Sequence, residues 1–200
     1  MKTLFRFFLC LFPVLLLTAC ETAPKESTLS VEWQKHEGLL AQIDHFQASG
    51  KLGYKSPDVK QSLNFIWNHS PDKSQLRLTT FLGKTVLNLT MTPEGATVID
   101  IDGNEYQDKN ATMLVYKLTG LVIPVTYMQD WLKGRPTEAD DFVLKQDTNT
   151  LSSLSKKLGS QFWNLEYTSY QAVNSIPLPY AMNLTQSDTS LKIVVSKWKI

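Results

Sequence analysis

From Gln47 onward the chain alternates between apolar and polar residues. Leu63, Phe65 and Trp67 are interleaved with Asn64 and Asn68, and Leu76 and Leu78 with Gln75, Arg77 and Thr79. Leu87, Leu89 and Met91 alternate with Asn88 and Thr90. A period of two marks strands with one buried and one wet face. The runs are separated by turn chemistry at Ser70-Pro71-Asp72, near Gly83, and at Pro93-Glu94-Gly95, which predicts consecutive antiparallel hairpins. Thr97 to Ile101 reads as another strand, and Asp102-Gly103 as a tight hairpin turn. Strands resume at Phe142–Leu144, Trp163–Tyr167, Met182–Leu184 and Leu191–Val195.

Three segments break this rhythm. Trp33, His36, Leu40 and Ile43 fall at helical spacing behind Ser30 as cap and Glu32, predicting an amphipathic helix of about four turns. Midway along, Asn110 is placed to cap a helix with Met113, Leu114 and Leu118 as its apolar face and Gly120 as its stop. Pro124 suits the first position of a third helix carrying Met128, Trp131 and Leu132, closed by Gly134. Leu151, Leu154 and Leu158 have helical spacing in strand-like surroundings, so the pattern alone leaves them open. The expected architecture is mainly β: an incomplete antiparallel barrel, or strongly curved sheet, covered by helices.

The first residues have a different character. Lys2 and Arg6 give the chain a positive start, and the stretch from Leu4 to Leu17 is otherwise almost wholly apolar, too short and wrongly flanked for a bilayer span. It reads as a secretory signal. It closes on Leu17-Thr18-Ala19-Cys20, which resembles the lipobox of bacterial lipoproteins. The expected organisation is a signal peptide over 1–19, a lipidated Cys20 with a flexible tether to residue 29, and one domain over 30–200. Glu21 rather than Asp after the cysteine resembles an outer-membrane rather than an inner-membrane lipoprotein.

Removing the first 19 residues takes two of the 20 basic side chains and none of the 19 acidic ones, leaving a formal charge of −1. That balance argues against nucleic acid as an electrostatic partner. Cys10 leaves with the signal, so Cys20 is the one cysteine of the mature chain, which excludes an internal disulfide or a cysteine metal site. His36-Glu37 lacks the second histidine of a zinc-protease helix, and no nucleophile elbow or phosphate loop is present. Gly50-Lys51-Leu52-Gly53 reads as a bend or bulge, and the pairs Asp100/Asp102 and Asp140-Asp141 as turn residues. The expectation is a protein that is not an enzyme and needs no cofactor or metal. Its plentiful apolar residues leave two readings, a solid core or a covered cavity for a ligand.

Ordered fragments along the chain carry a family resemblance: Trp33 with Leu40, Gly50-Lys51-Leu52-Gly53-Tyr54, Phe65-x-Trp67, Leu82-Gly83, and Gly120-x-x-Ile123-Pro124-Val125. Trp131-Leu132-x-Gly134-x-Pro136, Trp163-x-x-x-Tyr167, Pro177-x-Pro179 and Trp198 complete the series. Behind a lipobox, this order resembles the LolB family of outer-membrane lipoprotein receptors over nearly the whole chain. The resemblance implies an apolar cavity under a helical lid, and strand rather than helix after Leu151. It implies a monomer, lipid-anchored in a Gram-negative outer membrane with its domain in the periplasm. Its role would be to accept client lipoproteins from a soluble LolA-like carrier and insert them without nucleotide. The cavity is then expected to be lined by Phe65, Trp67, Leu76, Leu78, Leu87 and Leu89, with Met113, Leu114, Leu118, Met128 and Trp131 on the lid. A structural outer-membrane lipoprotein and a carrier of free lipid are the alternatives.

The hairpin Thr80-Phe81-Leu82-Gly83-Lys84 is a separate expectation. Its two hydrophobes either tuck under the turn or project into solvent. In the family, a leucine in a protruding loop is needed for membrane insertion, and Leu82 matches it, flanked by Phe81 and Gly83. Phe81 departs from the expected neighbour and either deepens insertion or shifts the key contact by one residue.

Overall fold

The computed structural model describes residues 26–120 and 122–200. Cys20, the signal segment and most of the expected tether lie outside the described residues. Helix α1 (Trp33–Ala41) precedes a run of six strands: β1 (Phe46–Lys55), β2 (Lys60–Ser70), β3 (Lys73–Thr79), β4 (Thr85–Thr92), β5 (Gly95–Asp100) and β6 (Glu105–Asp108). Helices α2 (Ala111–Thr119) and α3 (Val125–Trp131) follow. Then come β7 (Asp141–Leu144), β8 (Leu151–Leu158), β9 (Gln161–Val173), β10 (Ile176–Gln186) and β11 (Thr189–Lys199).

All eleven strands form one antiparallel sheet in the order β6-β5-β4-β3-β2-β1-β11-β10-β9-β8-β7. Each hairpin pairs sequence neighbours, and β1 joins β11 at the centre. The edges β6 and β7 do not pair, so the sheet stays open. The chain between those edges is the segment holding α2 and α3, so both helices lie on the path from one edge to the other. They bury Ala111, Leu114, Val115, Val125, Met128 and Trp131 in the same core as the strand residues. This is the expected half-barrel with its helical cover.

Local devices explain the departures from simple periodicity. The register of β1 against β11 shifts between Ser49 and Gly50, where a Cβ on Gly50 would collide with the Val194 carbonyl. Glycine is required there by the close backbone approach at the bulge. Leu151 and Leu154 are both buried although β8 is a strand. A register irregularity between β7 and β8 falls between their pairing positions and supplies the odd spacing that mimics a helix. Tyr167 and Tyr170 are likewise both buried, beside a shift in the β9–β10 register at Pro179.

Two helix expectations need correcting. Helix α1 has nine residues, not about four turns, and Glu32 rather than Ser30 caps it, accepting from the Gln34 and Lys35 amides at 3.1 and 3.0 Å. It ends early because Gln42 and Ile43 donate to Leu39 and Leu40, tightening the last turn before β1. Asn110 and Gly120 cap α2 as expected, the asparagine side chain accepting from Met113 N and the glycine adopting a left-handed conformation. The domain's own contacts begin before residue 30: Ser27 N donates to Tyr170 O at 2.8 Å, so the last part of the expected tether is held against β9.

Alternation of strand direction sorts the turns into two ends. The tips around 56–59, 80–84, 101–104, 159–160 and 187–188 share one end, here the rim. Those around 71–72, 93–94, 145–150 and 174–175 share the other. Toward the second end the interior is packed with rings: Phe46 lies 5.5 Å from Trp198 and 5.1 Å from His69, and Tyr167 stacks on Tyr170.

Gly50→Ala should lower unfolding free energy by about 3 kcal/mol, seen as a reduced urea midpoint with an unchanged slope. Gly53→Ala, whose added carbon meets Lys192 at ordinary contact distance, should stay within about 0.5 kcal/mol of the parent.

Candidate functional site

The rim half of the concave face is lined by aliphatic side chains and is not filled. A cavity of about 290 Å³ lies there. Its strand wall comes from Leu52 and Tyr54 of β1, Leu63 of β2, Leu76 and Leu78 of β3, Val86, Leu87 and Leu89 of β4, and Leu191 of β11. Val115 and Thr119 of α2, Ile123, and Val125 and Met128 of α3 close it from the helical side. Gln61 and Thr119 are the polar members of this wall. The same inward parity continues into the ring-packed half, where Phe65 and Trp67 follow Leu63 on β2. On β2 and β11 aliphatic side chains give way to larger rings, Trp67 and Trp198, and the face changes from hollow to solid.

Five expected residues meet at this cavity: Leu76, Leu78, Leu87, Leu89 and Met128. Phe65, Trp67, Leu114 and Trp131 are buried but stand off its wall, in the packed core. Trp67 is committed there by its ring N–H, which donates to Ser74 Oγ at 2.7 Å, and Trp131 by donation to Thr137 O at 2.9 Å. Met113 and Leu118 face outward, 42% and 36% exposed. The reason is helical phase: α2 turns Ala111, Leu114 and Val115 toward the sheet, leaving residues 113 and 118 on its flanks. Val115, Val125, Ile123, Leu52, Tyr54, Leu63, Val86 and Leu191 were missing from the expected lining. Alternation of Leu52 with Tyr54, and the i, i+4 spacing of Ala111 with Val115, were the signals that point to them.

The cover is tied to the sheet at several points. The Trp163 ring N–H donates to Val122 O at 3.0 Å, and Val122 N donates to Gln161 Oε1, which fixes the entry to α3. At its exit Tyr167 donates to Trp131 O at 2.7 Å, and buried Lys133 donates to Ile43 O at 2.8 Å. Burial lowers the Lys133 ammonium from its ordinary value. Burial also acts to raise the Asp130 carboxyl, but the Thr137 hydrogen bond and the charge of Lys133, 3.1 Å away, outweigh it and hold the carboxyl below its usual range. Helix α2 is tied to the sheet through the exposed Lys117–Asp108 ion pair at 2.6 Å, and Gly120 separates it from α3.

Near the cavity, the β3–β4 tip projects. Phe81 is 84% and Leu82 80% exposed, so neither tucks under the turn. The tip is nonetheless rigid at its base: Thr80 N donates to Lys84 O, Gly83 N to Thr80 O, and the Asn64 side chain to Thr80 O. Gly83 supplies the left-handed residue, with φ of 83°. Of the acidic pairs, Asp100 serves a turn as expected, whereas Asp140 is bonded across to β8. Asp100 accepts from Asp102 N and from Asn104 and Tyr106, and Asp140 accepts from Lys157 N and Lys156. Among the described residues, no cluster of three His, Cys, Asp or Glu side chains converges as a metal site.

The family model "Outer membrane lipoprotein LolB" matches residues 44–198. A curated LolB of Vibrio vulnificus is 54% identical over 198 residues, covering 97% of this chain and 96% of the relative. The chain belongs to the LolB family. A LolB of Pectobacterium carotovorum is 33% identical over 190 residues, covering 92% of this chain and 91% of its own. Among solved structures, a LolA superfamily protein of Nitrosomonas europaea superposes with a TM-score of 0.56 at 9% identity, covering 86% of this chain and 94% of its own. A DUF1329 family protein of Desulfovibrio piger gives 0.55 at 8%, covering 84% and 92%. At such identities the likeness is one of fold: this LolB-family chain shares the open, curved sheet with both.

Because one side of the cavity wall has no packing partner, enlarging a lining residue should be tolerated. Leu78→Phe is expected to change stability by less than about 0.5 kcal/mol, whereas Leu165→Phe, in the packed core, should cost about 1–3 kcal/mol by urea unfolding.

Proposed function

We propose that this chain is an outer-membrane lipoprotein, acylated at Cys20 and facing the periplasm, that receives other lipoproteins and inserts them into the outer membrane. The acyl chains of the client enter the apolar cavity from a soluble LolA-like carrier. The observation that carries this reading is that cavity, walled by leucine and valine from five strands and two helices with little polar lining. A scaffold with a filled core has no use for such a void.

Three acyl chains of about sixteen carbons contain dozens of methylenes, each worth about 0.8 kcal/mol when removed from water. Free passage through the periplasm is therefore prohibitive, and a handover from cavity to cavity avoids it. No nucleotide is needed if the receptor holds the chains more tightly than the carrier. Every 1.4 kcal/mol is a factor of ten, so two additional buried methylenes suffice. At about 290 Å³ the cavity is at the lower bound of pockets that enclose one drug-sized ligand, about 300–1,000 Å³. A full lipid load therefore requires the cover to move. The left-handed glycine at 120, between the two helices, favours α2 as the part that swings.

Attachment and insertion are separate tasks. Burying one leucine is worth about 1.5–3 kcal/mol, far less than an acyl anchor, so Leu82 with Phe81 acts by disturbing the leaflet locally. Leu78→Glu, on the cavity wall, is expected to abolish acceptance from the carrier in a pull-down of acylated client while circular dichroism stays unchanged. Leu82→Glu should accept client normally yet fail to deposit it in liposomes. Normal transfer by a folded Leu78→Glu protein would remove the cavity from the mechanism. Copurifying phospholipid without client uptake, seen by native mass spectrometry, would instead mark a free-lipid carrier.

A further inference from the structure

The two ends of the half-barrel differ in what their turns display. At the end remote from the cavity the tips are Pro71-Asp72, Pro93-Glu94, the polar 145–150 loop and Asn174-Ser175. At the rim, Val59 lies in the β1–β2 turn, Phe81 and Leu82 at the β3–β4 tip, Ile101 at the β5–β6 tip, and Phe162 beside the β8–β9 tip. These are 47%, 84%, 80%, 43% and 57% exposed. Exposed apolar side chains thus stand on four of the five rim hairpins, while the β10–β11 tip, Ser187-Asp188, is polar.

We propose that the whole rim, and not the 80–84 tip alone, is a bilayer-contact surface on which Val59, Ile101 and Phe162 are further insertion points. The inference rests on the reading of Leu82 given above and extends it to the orientation of the domain. Three features favour lipid over a protein partner. The apolar residues are spread over or beside four separate hairpin tips, which a deformable acyl layer accommodates and a rigid protein groove does not. The near-neutral charge of the mature chain asks for no anionic partner surface. The cavity wall is built largely from the strand halves adjoining this end, Tyr54 and Gln61 on either side of the β1–β2 turn and Leu78 and Val86 on either side of the β3–β4 tip. Placing the rim on the bilayer therefore brings the chains to the leaflet without a water-filled gap.

Single cysteines at Val59, Leu82, Ile101 and Phe162, labelled with an environment-sensitive fluorophore on the acylated chain in phosphatidylcholine vesicles, test this. Labels at Asp72 and Ser175 serve as references. Blue-shifted emission and protection from aqueous iodide are expected at all four rim sites and at neither reference. A response at Leu82 alone would overturn the extended surface and leave the insertion loop standing. No response at any rim site would overturn both readings. Responses at Val59, Ile101 and Phe162 that appear only when carrier is added would make the rim a protein-docking face and also overturn the proposal.

Discussion

An apolar concave face cannot be left in water, and that need shapes the rest of the molecule. Burial returns about 25 cal/mol for each Å² of apolar surface removed from solvent. A closed barrel meets the need by wrapping the sheet on itself. Here β6 and β7 never pair, and the only chain that passes between them carries α2 and α3. Cover and gap are thus the same topological fact. The short edges, four residues each, also limit the template they offer to stray strands.

Within that frame the interior is divided. Rings fill the half containing Phe46, Trp67, Tyr170 and Trp198, and their polar atoms are satisfied by Ser74, Leu151 O and Pro179 O. Such a half is stiff, because each indole or phenol is fixed both by contact and by a directed bond. The leucine half has fewer such fixings. Its aliphatic side chains carry no hydrogen-bonding demands and leave space that water gains little by entering. A rigid floor beside a compliant pocket lets one domain hold its shape while its contents change.

Much of this was written in the sequence. Strand alternation at Leu63–Trp67, Leu76–Leu78 and Leu87–Met91 is a period that helices do not share, so the strands and five wall or lid residues were legible. Helix phase was not: Met113, Leu114, Val115 and Leu118 are consecutive enough that the buried stripe is decided by tertiary contact rather than by spacing. The length of α1 failed for a related reason, since Ile43 continues the periodicity while its amide already belongs to the closing turn. Leu151 and Leu154 stayed ambiguous in the pattern because a register shift adds a residue to one side of a pairing, and no local pattern announces it. Nor does composition say how far down β2 the interior stops being hollow. Phe65 and Trp67 share the parity of Leu63 and differ only in position along the strand.

The hydrogen bond from Ser27 to Tyr170 has a mechanical consequence. It releases the chain at the far end of β9, nine residues or about 30 Å along the strand from Gln161. A pull on the chain before Ser27 is therefore borne by the ring-packed end of the sheet, where the Tyr170 hydroxyl is itself bonded to Leu151 O, and the hollow end is spared the load.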